Sequence, residues 1–260
     1  MESKRLLMLA ALLMAGCGGT PEPVSEETAA TEPPLAVEDI APRAAQPAAT
    51  PSGQSTLPAA GAQNGGAAAP ISERFQLGTH FSRLSPTQPT SSGPTQVEVA
   101  EVFWYGCPHC YTFDPYLQNW QSSKADYVNF VRIPAVWNAL ARLHARAFYT
   151  ADALGKGAEM HAAFFREIHV NGNALDSEAK LSGFFGRFGV DEAAFKSAFD
   201  SFAVHTKLQR ADELSRRYQI SSVPSIVVNG KYTTDGSMAG GYDQMIELIN
   251  ELAASERTAD

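Results

Sequence analysis

Cys107-Pro108-His109-Cys110 places two thiols in one chain with only two residues between them. Such a pair can close into a disulfide and reopen when a thiolate attacks it. Upstream, Val97-Glu98-Val99-Ala100-Glu101-Val102-Phe103-Trp104 is rich in β-branched and aromatic residues and reads as a central strand. It stops at Tyr105-Gly106, and Cys107 opens a helix. The start of a helix carries free amide hydrogens and the positive end of the helix dipole, so a thiolate is favoured at Cys107 and its pKa falls. Cys110, inside the helix, is expected to be more buried and to point back at Cys107. His109 can donate hydrogen bonds or charge to the Cys107 thiolate. Stabilising that thiolate stabilises the reduced form and makes the disulfide a stronger oxidant. Half of a zinc site is one alternative, but the partners it needs, among His80, His144, His161, His169 and His205, are scattered and unpaired. A purely structural disulfide is another, although so short a loop constrains little of the unfolded chain. The spacing and context favour redox chemistry, with no metal and no bound cofactor beyond the Cys107–Cys110 pair itself.

The elements that must hold this pair follow from periodicity. Phe113, Tyr116, Leu117 and Trp120 fall at i, i+3, i+4 and i+7 and predict one apolar helical face. Pro115 inside that run predicts a kink, because it lacks an amide hydrogen and its ring clashes with the preceding turn. Val128 to Ile133 reads as a second strand. Ser225 to Val228, Asn229-Gly230 and Lys231 to Thr233 read as a hairpin with a two-residue turn, and Tyr242 to Ala254 as a last helix. Between the halves, about 138–218, the pattern is helical. Phe195, Phe199 and Phe202 form one stripe, and Val204, Leu208, Ala211 and Tyr218 another. Asp191 is placed as an N-cap, with Val190 and Phe195 as a hydrophobic staple and Gly189 ending the helix before. The order strand-helix-strand, helices, strand-strand-helix describes an α/β sheet domain with an all-helical insertion.

Glu101 lies six residues before Cys107 on a strand that otherwise reads as buried. A carboxylate there is costly and should have a raised pKa, unless it reaches solvent at a sheet edge.

Taken together, Phe75 to Ala254 resembles the DsbA family of thiol oxidases, which are thioredoxin-like folds with a helical insertion. The most specific element is the run from Glu101 to Cys110, with Pro108-His109 between the cysteines. Phe75-Gln76-Leu77-Gly78 to Leu84 also resembles the family's leading segment and its first strand. The resemblance implies that Val223-Pro224 is a cis-proline loop facing the cysteines, although the same residues also fit an ordinary proline at the start of a strand. Val223 would then pair with an extended substrate, and Pro224 would shield Cys107. It implies further that Glu101 assists proton transfer at Cys110. The family often pairs this acid with a Lys; Arg132 is the candidate here, and an Arg does not release its proton. The implied activity is the introduction of disulfides into exported proteins with free thiols, by a monomer that a DsbB-like, quinone-linked membrane partner reoxidises. A disulfide isomerase or reductase of the same fold is the nearest rival. An anchored chaperone with an incidental cysteine pair is the rival from another class.

The rest of the chain bears on location. Of 260 residues, 44% are hydrophobic, 18% are charged, and three are Cys; the net charge is −8. Three Cys cannot build a disulfide framework, and an acidic balance argues against binding nucleic acid through its phosphates. No aromatic residue precedes Phe75. Lys4 and Arg5, then an apolar run from Leu6 to Ala15, predict a secretory signal over 1–16. Leu13-Met14-Ala15-Gly16-Cys17 resembles a bacterial lipobox, which implies lipid attachment at Cys17; cleavage without lipidation is the alternative. Residues 18–70 hold nine Pro, fourteen Ala, six acids and one Arg. A segment of this composition cannot bury enough apolar surface to offset its ordering entropy. It is expected to be a linker with a reach of roughly 40 Å, followed by the folded domain over 71–260. The expected location is the periplasm, at a membrane.

Overall fold

The computed structural model describes residues 70–257. The signal over 1–16, the lipid site at Cys17 and all of the linker but its last residue lie outside the described residues. The strands are β1 (Ser82–Arg83), β2 (Val97–Phe103), β3 (Val128–Pro134), β4 (Ser225–Val228) and β5 (Tyr232–Asp235). They form one sheet in the order β1-β5-β4-β2-β3, with β2 and β3 parallel and the other neighbours antiparallel. Helix α1 (Pro108–Ser123) makes the crossover from β2 to β3. Five helices then intervene before β4: α2 (Ala139–Ala153), α3 (Gly157–His169), α4 (Glu178–Gly186), α5 (Glu192–Phe199) and α6 (Phe202–Arg217). A short α7 (Gly236–Ala239) and a long α8 (Tyr242–Ser255) follow the hairpin. This is the sheet domain with an all-helical insertion that the periodicity predicts, in the thioredoxin-like arrangement that the family resemblance implies.

Strand β2 is buried along its whole length because both sheet faces are covered. Val97 and Val99 pack with Phe113, Leu117 and Trp120 of α1 and with Leu248, Ile249 and Leu252 of α8. Alternate residues Ala100 and Val102 point to the other face, against Ala211 of α6 and Tyr218. The insertion has its own aromatic core, with Met160, Phe164, Phe165, Phe185, Phe195 and Phe199. Phe103, Tyr105 and both cysteines belong to that same cluster. The redox pair therefore sits at the seam between sheet domain and insertion.

Local signals account for most boundaries. Asp191 caps α5 by accepting from the amide of Ala194, and Val190 and Phe195 are both buried beside it. Gly189 has φ +77°, a left-handed conformation that suits glycine just past α4. Three expectations need correction. Phe202 does not continue the Phe195–Phe199 stripe: α5 ends at Phe199, Ser201 caps a new helix, and Phe202 is 84% exposed at its first position. Tyr116 is 37% exposed rather than core, and only Phe113, Leu117 and Trp120 of that face are buried. The hairpin turns at Asn229 (φ +50°) and Gly230 (φ +61°), but β4 pairs Val228 with Tyr232, so Lys231 is an extra residue in the connection. Helix α1 runs unbroken through Pro115.

Candidate active site

Cys107 is the N-cap of α1, and Pro108 takes the first helical position, where a missing amide hydrogen costs nothing. The Cys107 Sγ accepts the amide hydrogen of Cys110 at 3.4 Å. Its thiol lies 3.4 Å from the Val223 carbonyl, to which it donates. Both cysteines are free thiols. Cys107 keeps 7% of its surface exposed and Cys110 none, so the second cysteine is the buried one. Gly106 fits because Trp104 lies against it and leaves no room for a side chain.

This environment splits the two thiols. The hydrogen bond from the Cys110 side chain, aided by the amides of Cys110 and His109 and then by the His109 charge, lowers Cys107 from 9.0 to about 6, against the opposing effect of burial. Burial, the hydrogen bond to Cys107 and the charges of Cys107 and Glu101 push Cys110 far above the ordinary thiol range. The His109 ring acts on Cys107 through charge alone, as the smallest of these causes; the residue contributes more through its backbone amide.

Val223-Pro224 is a cis peptide bond next to Cys107. Val223, Pro224, His109, Ser222, Gly236 and Tyr242 line a cleft of about 400 Å³ beside the cysteines. The Tyr242 hydroxyl donates to the His109 carbonyl at 3.2 Å, tying α8 to the first turn of α1.

Beneath the pair lies a charged cluster. Glu101 is 1% exposed, so it is not at a solvent edge. It stands opposite Arg132 in the β2–β3 register, and Arg132 Nε donates to its Oε2 at 2.9 Å. Burial pushes Glu101 up from 4.5 to about 7, the Arg132 charge opposes that, and the Asp114 charge adds to it. Arg132 also donates to Asp114 Oδ1 at 3.2 Å. His161 Nε2 contacts the same oxygen at 3.2 Å, and His161 Nδ1 meets the Tyr105 hydroxyl at 2.9 Å. From the same helix, His169 Nε2 donates to the Tyr105 carbonyl at 2.8 Å, and its ring stacks on Tyr111 at 5.0 Å. Among the described residues, no group of three or more His, Cys, Asp or Glu is placed to hold a metal ion.

A family model described as a DSBA-like thioredoxin domain matches residues 130–253. The thiol:disulfide interchange protein DsbA of Azotobacter vinelandii is 37% identical, over 71% of this chain and 92% of that protein. Its counterpart in Burkholderia cepacia is 36% identical over 75% and 89%. The chain belongs to the DsbA family. The crystal structure of Pseudomonas aeruginosa DsbA superposes with a TM-score of 0.67 at 36% identity, covering 70% of this chain and 95% of that one. That of DsbA from Xylella fastidiosa gives 0.65 at 30% identity, over 69% and 96%. Membership establishes a thiol:disulfide oxidoreductase on a thioredoxin fold with a helical insertion.

Within this DsbA-family site the structure brings together Cys107, Pro108, His109, Cys110, Val223, Pro224 and Glu101, with Arg132 as the partner of Glu101. Cys17 lies outside the described residues. Sequence reasoning missed Asp114, Tyr105, His161 and His169. Asp114 was within reach, since it is one helical turn past Cys110 and four residues apart is the same helix face. The two histidines stand far from the cysteines in the chain, and no local pattern marks them.

Proposed function

We propose that this protein donates disulfides to exported proteins in the periplasm, and that the unequal stabilisation of its two thiols drives the transfer. A substrate thiolate attacks Cys107 Sγ, the Cys107–Cys110 bond breaks, and Cys110 leaves. Because Cys110 holds its proton far above the ordinary range, the leaving sulfur needs a proton, and Glu101 is the acid beneath it. A second substrate thiolate then attacks the substrate sulfur of the mixed disulfide and expels Cys107, a good leaving group because its pKa is low. The substrate leaves oxidised and the enzyme reduced. The supporting observation is the split itself, with Cys107 at about 6 and Cys110 pushed the other way.

An extended substrate strand fits the cleft, pairing its backbone with Val223 and packing on Pro224 and Tyr242. Reoxidation falls to a DsbB-like membrane partner linked to quinones. Cys17 carries a lipid that holds the domain at a membrane, and metabolic labelling with palmitate should mark the wild type and spare Cys17→Ala. The test of function is equilibration with glutathione buffers. A midpoint far more oxidising than that of thioredoxin, at about −270 mV, is expected, and a value at or below it would make the protein a reductase. Cys107→Ser should abolish the oxidation of a reduced substrate protein, and equal rates from mutant and wild type would reject the reading.

A further inference from the structure

The cluster under Cys110 contains two carboxylates and one guanidinium. Glu101 comes from β2, Asp114 from α1 and Arg132 from β3; His161 and Tyr105 close it from the insertion side. With His161 held neutral by its burial, one positive charge cannot neutralise two buried carboxylates, and a bare excess negative charge is costly there. The trio therefore retains one proton near neutrality, and either acid can hold it.

The donors decide which. Among the described residues, Asp114 receives hydrogen bonds from Arg132, from His161 and from Gln118, whereas Glu101 receives only that of Arg132 Nε. An ionised Asp114 accepts only, so His161 must donate to it through Nε2–H. The ring then accepts the Tyr105 hydroxyl at Nδ1, and both of its nitrogens are satisfied while it is neutral. Gln118 is at the exposed end of the cluster; His161 and Asp114 are buried.

We propose that His161, a residue of the helical insertion, assigns the shared proton of this cluster to Glu101 by holding Asp114 ionised. It is a positioning residue that touches neither cysteine. The inference rests on the reading of Glu101 as the acid that serves Cys110. When Cys110 is expelled as a thiolate, the proton passes from the Glu101 carboxyl to Cys110 Sγ, leaving Glu101 ionised; on reoxidation Cys110 returns a proton as it forms the disulfide. A proton left on Asp114 instead would sit on the wrong acid for this exchange. The directions of titration agree: burial raises Glu101, and Asp114, despite its burial, is held below the usual carboxylate range by His161 and then Arg132. Burial likewise pulls His161 toward its neutral form, against the pull of Asp114.

The test reads the carboxyl carbons of Glu101 and Asp114 by nuclear magnetic resonance across pH, in the reduced full chain. In His161→Leu the Glu101 midpoint should fall and that of Asp114 should rise, and His161→Gln, which keeps a donor, should restore both. An unmoved Glu101 midpoint in His161→Leu, or an equal fall in His161→Gln, overturns the proposal. A merely structural role for His161 would change the melting temperature and leave the carboxyl midpoints in place. Should the leucine variant fail to fold, Asp114→Asn gives Arg132 to Glu101 alone and should lower the Glu101 midpoint by about 1 to 3 pH units; no change there also overturns it. Because the carboxyls are read directly, the outcome is independent of whether Glu101 serves Cys110. Glu101→Gln tests that separately, by slowing release of Cys110 in a stopped-flow exchange.

Discussion

The decisive residue, Cys107, is tuned mostly by backbone and by its partner thiol. Helix start, Cys110 and the amides of Cys110 and His109 surround its sulfur, and they survive a change of the His109 side chain. Replacing His109 with Ser should therefore raise the Cys107 pKa only modestly, as read by thiolate absorbance. The exposed ring acts through charge, so salt near 1 M should erase most of the difference between the two proteins. A large shift that ignores salt would mean the ring contacts the sulfur directly. The separation of the two thiols also sets how potential follows pH. Reducing the disulfide takes up two protons below the Cys107 pKa and one above it. The midpoint should fall by ~59 mV per pH unit below the pKa and ~30 mV above it, bending near about 6. A straight line through that region would reject the assignment of the low pKa to Cys107.

At the scale of elements, the aromatic stripes of the insertion differ in importance according to where helices stop. Phe199 ends α5 inside the core, 1% exposed, while Phe202 begins α6 in solvent. Phe199→Ala should cost about 3 to 5 kcal/mol in denaturant unfolding, and Phe202→Ser less than about 0.5. Spacing alone put both on one face, because Phe199 and Phe202 are three apart. Ser201 overrode that by capping a new helix. The same limit applied to Tyr116, whose place beside Leu117 suggested burial. It stands at the rim of α1 against Tyr242, where the layer of α8 ends. Strands were more legible: β2 is buried on both faces, and Val97, Val99 and Val102 with Phe103 supply the β-branched and aromatic residues that mark a strand.

At the scale of the whole molecule, several titrations pull stability in opposite directions. Glu101 is neutral in the folded protein up to about 7 but ionises at about 4.5 when unfolded. The unfolded chain thus releases its proton first, and the folded state loses stability as pH rises from about 4.5 to about 7. Cys107 has the contrary sign in the reduced protein: its folded pKa is depressed from 9.0 to about 6. Its contribution is fully present above about 9 and is lost as pH falls through about 6. The disulfide form has no such thiolate. The unfolding free energy of the reduced form, relative to the oxidised form, should therefore grow between pH 6 and pH 9 in parallel denaturant titrations. A constant difference across that range would contradict a stabilised thiolate. Glu101→Gln should flatten the fall between 4.5 and 7 in either form.

The sequence by itself determined the chemistry and the order of elements. A thiol pair at a strand-to-helix junction, β-branched runs, helical periods, caps and the Asn229-Gly230 turn are local signals, each written within a few residues. Only the tertiary structure decided what lies under the pair. Glu101, Asp114, Arg132 and His161 come from four separate elements, and their meeting depends on parallel pairing of β2 with β3 and on α3 packing over Tyr105. Charges interact through space across distances that chain spacing does not encode. Which acid keeps a proton is thus a property of the folded arrangement.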